Sequence, residues 1–140
     1  MPVRRIKRII ELKEKLMEDK QREISNVLKL IDKIINDIEN IESSINANYE
    51  HITTTILTGN DLCLIKDNII YLEHRISELM EEKEDWSKRL DAHKMELVEQ
   101  AREVKKLETL KSKALYTIKK TQNRKEQKIL DEIALQKINK

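Results

Sequence analysis

Glycine and proline are almost absent from this 140-residue chain: Gly59 and Pro2 are single occurrences. Phenylalanine is missing, and aromatic residues make up only 3% of the sequence. That is too little bulk for a globular core, while the helix on either side of Gly59 meets no breaker. Cysteine occurs once, at Cys63, so no intrachain disulfide exists and nothing points to an oxidising compartment. The expected place for Cys63 is as a small buried residue near a turn. No apolar run approaches the ~20 residues that span a bilayer, which excludes membrane insertion. The N-terminus is basic but has neither the apolar core nor the cleavage site of a signal peptide. A cytoplasmic protein is expected.

Catalytic patterns are missing too. There is no Gly-rich phosphate loop, no H-E-x-x-H, and no nucleophile with a base and an orienting acid. His51, His74 and His93 fall at different levels of the expected fold, so no metal site is expected, and no cofactor. Carboxylates are plentiful but have no cavity to shift their pKa or exclude water. The chain is expected not to be an enzyme and to act through what it touches.

What is present is charge, 39% of the sequence, on a regular apolar repeat. So high a charge content permits disorder, but the sustained seven-residue spacing argues for a coiled coil. One seam reads Val3, Ile10, Met17, Ile24, Ile31, Ile38, Ile45, Ile52. A second, three residues on, reads Ile6, Lys13, Lys20, Val27, Ile34, Ile41, Asn48, Thr55. Lys13 and Lys20 weaken that seam, but they can reach its edge and help to set the pairing.

Continuing the first seam would place Gly59, Lys66 and Glu73 in it. Instead it resumes at Leu62, Ile69, Ile76, Lys83, Leu90, Leu97, Val104, Lys111 and Ile118. Its companion is Ile65, Leu72, Leu79, Trp86, His93, Gln100, Leu107 and Ala114. The register breaks at Thr58-Gly59-Asn60-Asp61. Gly59 there is expected to close a helix in the left-handed conformation, with Asn60 and Asp61 capping the next one.

The expected fold is therefore all-α: a two-helix antiparallel coiled-coil hairpin with a longer C-terminal helix. It forms a single coiled-coil domain over 1–140, with helix 3–57, turn 58–61 and helix 62–138. Thr53, Thr54 and Thr55 are poor helix formers, so the tip should be looser than the shaft. If Leu57 lies opposite Leu62, facing residue numbers add to about 119, taking the pair Leu57 and Leu62 as the reference. Trp86 then packs at the level of Ile31 to Ile34, and Met1 faces Ile118. Residues 119–140 have no partner; an isolated helix of that length is marginal in water and should fray until its stripe is buried. That stripe is Ile129, Leu130, Ile133, Ala134 and Ile138.

Charge is segregated along the chain. Residues 1–20 carry seven cations against four carboxylates, and residues 119–140 seven against three, together +7. From Ile34 to Ile65 there is no Lys or Arg, and Asp37, Glu39, Glu42, Glu50 and Asp61 give −5. A hairpin turns this into a basic open end and an acidic tip.

At the C-terminus, Arg124-Lys125-Glu126-Gln127-Lys128-Ile129-Leu130-Asp131-Glu132-Ile133-Ala134 resembles the closing motif of the FliJ family of flagellar type III export proteins. There a charged run leads into a Leu-Asp-Glu-hydrophobic-Ala block near the chain end. The start is similar to that family as well: Arg8-Ile9-Ile10-Glu11-Leu12-Lys13-Glu14-Lys15, then Gln21-Arg22-Glu23-Ile24. The likeness covers the whole chain. It implies an antiparallel coiled coil similar to the central stalk of rotary ATPases. The implied partners are the hexameric export ATPase, whose ring assembly or activity the family promotes, and the export-gate membrane protein. An escort-chaperone role, with export chaperones as partners, is implied too. The implied location is the inner face of the cell membrane, peripheral to it through those partners, in flagellar biogenesis, motility and chemotaxis.

On this reading Ile129, Leu130, Ile133, Ala134, Arg124 and Lys125 are the candidate ATPase contacts. The gate surface lies towards the tip, around Tyr49 and Leu72. Three alternatives stand beside it: the equivalent stalk of a virulence type III secretion system, a self-assembling coiled-coil scaffold, and a nucleic-acid-binding arm. The last is weakened by interleaved acids and by the lack of aromatic residues beside the cations, so no nucleic-acid partner is expected.

Overall fold

Each side of the turn is a single helix, as expected of a chain with no interior Gly or Pro. In the computed structural model, which describes residues 2–138, α1 runs Pro2–Thr54 and α2 runs Gly59–Ile138. The protein is all-α, a two-helix antiparallel coiled-coil hairpin. Its second helix, of 80 residues, is longer than its first, of 53.

The turn differs from the sequence expectation in three ways. First, α1 ends at Thr54 rather than at residue 57, and residues 55–58 form the loop. The Thr53 and Thr54 hydroxyls both donate to the Glu50 carbonyl, at 3.0 and 2.7 Å. Such back-bonding by β-branched residues weakens a helix end.

Second, Gly59 is not a left-handed closing residue. It is the first residue of α2, and no described glycine has a positive φ. The cap is Thr58, whose hydroxyl accepts the Asp61 amide at 3.2 Å while its carbonyl accepts the Leu62 amide at 3.1 Å. Thr58 does what Asn60 and Asp61 were expected to do, because it stands before the first helical residue, where its oxygen can turn back onto free N–H groups. Leu57 and Leu62, both half-buried, occupy the two positions of a hydrophobic staple. Third, Cys63 is exposed, not buried. It follows Leu62 by one residue and so points away from the seam.

The chain divides into two compact units, Lys20–Glu96 and Met1–Asp19 with Leu97–Lys140. In the first unit the core is the pair of expected seams. Val27, Ile31 and Leu90 form one buried cluster, and Ile34, Ile38 and Leu79 another. Trp86 packs against both, at the level expected of it, with the Arg89 guanidinium 4.6 Å above its ring. Ile45 and Ile69 are buried nearer the turn. Each such aliphatic side chain contributes about 1.5–3 kcal/mol.

The facing register is tighter than expected. In this unit Lys20 pairs with Glu96 and His93 lies beside Glu23, pairs that add to 116, while Val27 with Leu90 and Ile38 with Leu79, which share buried clusters, add to 117; both fall short of 119.

In the second unit Ile10 and Val104 are buried, with Val3, Ile6, Met17, Leu97, Leu107 and Ala114 half-buried around them. Lys13 pairs with Glu103 in the same 116 register. The expected pairing of Met1 with Ile118 lies outside the described residues, as does Lys140 of the basic end. Ile118 itself is exposed. From Leu115 to Ile138 every described residue is exposed, so the uncovered segment starts four residues earlier than 119. It is helical as far as Ile138, in keeping with its Lys, Gln, Glu, Leu and Ala content.

Candidate partner-binding surfaces

The uncovered part of α2 follows from what happens to its seams. Extending them past Ala114 and Ile118 brings up Thr121, Lys125, Lys128 and Glu132, all polar. No apolar side of α1 could be covered by them. Ile129, Leu130 and Ile133 instead sit on a different side of the helix, on the order of 100° away at the pitch of an α-helix. They are 56%, 59% and 46% exposed, with Ala134 exposed beside them. Ile138, the fifth member of that stripe, and Leu135 are exposed as well; Leu135 was missed because it lies off the stripe, one heptad beyond Lys128 on the otherwise polar continuation of the seam.

Arg124 and Lys125 are both exposed. Arg124 shares one exposed face of the uncovered helix with Tyr116, Lys119, Lys120, Asn123 and Gln127. Lys125 lies off that face. Tyr116 lies beside these cations, where no aromatic residue was expected, and residues 109–125 lack the interleaved acids expected of the basic end; the place of Tyr116 just N-terminal to the run of cations was the available signal.

The cations of this unit are unusually free of counter-charges. Residues 2–10 and 109–125 together contain ten, from Arg4 to Lys125, and no Asp or Glu. Among the described residues none of the ten is ion-paired. Lys13, by contrast, hydrogen-bonds to Glu103 and holds its carboxyl below the usual carboxylate range. On α1, Ile9, Leu12 and Leu16 make an exposed apolar stripe of their own.

The unit that holds the turn has the opposite sign. Among the described residues Asp37, Glu39, Glu42, Glu50 and Asp61 carry no ion pair, and no Lys or Arg lies between residues 34 and 65. Tyr49 is half-exposed on α1. Leu72 is half-buried in the seam of α2, so part of its surface already serves the pairing of the helices. In the 116 register Leu72 stands opposite Ser44, about one turn and a half from Tyr49. The two are near but not level. No helix of the described residues is long and apolar enough to cross a membrane.

An antiparallel helical hairpin with an uncovered helical extension and two oppositely charged regions belongs to the proteins that work by presenting surfaces to partners. The family of the flagellar FliJ protein matches residues 2–140, and the chain belongs to it. It is thus a coiled-coil protein associated with flagellar export, and its interactions are with the flagellar export apparatus. Of the two secretion systems considered, the match supports the flagellar one. Comparison with curated proteins and with solved structures finds no match.

Proposed function

We propose that this protein binds the export ATPase as a stalk-like coiled coil, promotes assembly or activity of its ring, and links it to the export gate. The observation that carries this reading is the segment from Leu115 to Ile138, which nothing in the described chain covers. Ile129, Leu130, Ile133 and Ala134 are the apolar contacts, and Arg124 and Lys125 the basic ones. Three aliphatic side chains at about 1.5–3 kcal/mol each can decide whether a partner binds, even after ordering costs are subtracted. The gate contact is placed towards the turn, at Tyr49 and Leu72. The protein then works at the inner face of the membrane through its partners, and an escort role for export chaperones fits the same exposed helix.

The test is ATPase activity against added wild-type protein or the variant Ile129→Ser/Leu130→Ser/Ile133→Ser, with ring concentration and salt held fixed. The variant should fail to stimulate while its thermal unfolding stays that of the wild type. Stimulation equal to wild type would place the ATPase contact elsewhere.

A further inference from the structure

A four-residue loop closing a hairpin is ordinarily built from Gly, Asn, Asp or Ser. Here residues 55–58 read Thr-Ile-Leu-Thr. Thr58 caps α2, and Leu57, half-buried, sits in the staple position. Ile56 serves neither purpose. It is 102% exposed, more than any other large apolar residue in the described chain.

Beside it lies a concavity of about 410 Å³ lined by His51, Leu57, Asp61, Leu64 and Ile65. Leu64, on its wall, is 68% exposed. A projecting isoleucine next to an apolar hollow makes a small surface with both a knob and a hole. Single exposed apolar residues need no explanation, but an isoleucine, a leucine and a hollow gathered at one turn do.

The electrostatics say what fits there. Asp61 lines the hollow and Glu50 lies within two helical turns of Ile56; among the described residues neither is ion-paired, Asp37, Glu39 and Glu42 continue the acidic stretch along α1, and no Lys or Arg lies between residues 34 and 65. An acidic partner would be repelled by these carboxylates, and a neutral one would gain nothing from them. We propose that the turn is a docking surface for a basic protein face, in which Ile56 enters an apolar socket rimmed by Lys or Arg. A side chain of that face fills the hollow at Leu57 and Leu64. This rests on the gate reading above and deepens it: Ile56 and Leu64 become the anchors, with Tyr49 and Leu72 further from the contact.

The experiment measures binding of the full chain to the cytoplasmic domain of the export-gate protein at several salt concentrations. Wild type should bind more weakly as salt rises. Ile56→Ser should lose about tenfold or more in affinity through faster dissociation, the signature of an anchor. Glu39→Gln/Glu42→Gln/Glu50→Gln should slow association and flatten the salt dependence. All three substituted carboxylates are exposed, so helix content and melting should not change. Binding by Ile56→Ser as tight as wild type, or affinity indifferent to salt, overturns the inference while leaving the gate reading intact. No binding by wild type overturns both. Self-association that Ile56→Ser abolishes would make a second copy the occupant and overturn the assignment to a different protein.

Discussion

Lys20 of α1 reaches across the helix pair to Glu96 of α2, at a position that seven-residue spacing assigns to an apolar residue. The same ammonium lies 3.2 Å from Glu23 on its own helix. Its hydrogen bond to Glu96 raises the lysine above its ordinary pKa and holds the Glu96 carboxyl below its own. A lysine in the seam is tolerated because its stem lies along the apolar stripe while its head finds a carboxylate at the edge.

The pH dependence follows from these directions. A carboxyl with a lowered folded pKa contributes stability above its unfolded pKa, roughly 4.3–4.5, and loses it as pH falls through the folded value. Lys20, raised, contributes below its unfolded pKa of about 10.5 and loses its part as pH rises beyond that. Glu96→Gln should therefore destabilise the protein at pH 7 and make little difference at pH 2. Urea midpoints of both proteins at the two pH values test this. An equal gap at both would mean that the ion pair does not contribute.

Leu79 is 3% exposed, the most deeply buried core residue, whereas Leu135 is 60% exposed. Leu79→Ala should cost about 2–4 kcal/mol. Leu135→Ala should change stability by less than about 0.5 kcal/mol. Chemical denaturation of the two variants distinguishes covered from uncovered leucines on the same helix.

Gly59→Ala separates the two roles considered for the single glycine. A left-handed closing glycine would be damaged by a Cβ. At the start of α2, with no positive φ and nothing within 4 Å of an added Cβ, alanine is accepted. The substitution should raise stability by about 0.4–1 kcal/mol by restricting the unfolded chain. A fall in the urea midpoint would return Gly59 to its expected role.

The register is open to crosslinking in a Cys63→Ser background. Glu23→Cys with His93→Cys lies in the 116 register and should oxidise within one molecule. Glu23→Cys with Glu96→Cys, the 119 register, should crosslink far less. Non-reducing gels at low protein concentration read the outcome, and the reverse preference would restore the looser turn.

Much of the fold is written in local spacing. The seams from Ile10 to Ile52 and from Leu62 to Ala114 account for all ten residues that are buried among those described. A helix turns by the same angle per residue whatever surrounds it, so period and burial face are legible before any partner helix is placed. The uncovered end was legible for the same reason, from polar residues where the seam should continue. The closing motif carried the family. Axial register was another matter. A slide of three residues leaves both stripes facing each other, so apolar periodicity alone cannot choose between 116 and 119.

Tertiary structure decided that choice through Lys20–Glu96 and Lys13–Glu103. It also decided that Thr58, rather than Asn60 or Asp61, caps α2. Only Thr58 has its oxygen on the near side of the first helical turn. Helix ends are settled by competition among a few hydrogen bonds of similar strength, and neighbouring residues of similar chemistry differ there only in position. The exposure of Ile56 depends on that outcome. Moving the loop three residues towards the N-terminus takes Ile56 out of the helix and leaves its side chain to solvent.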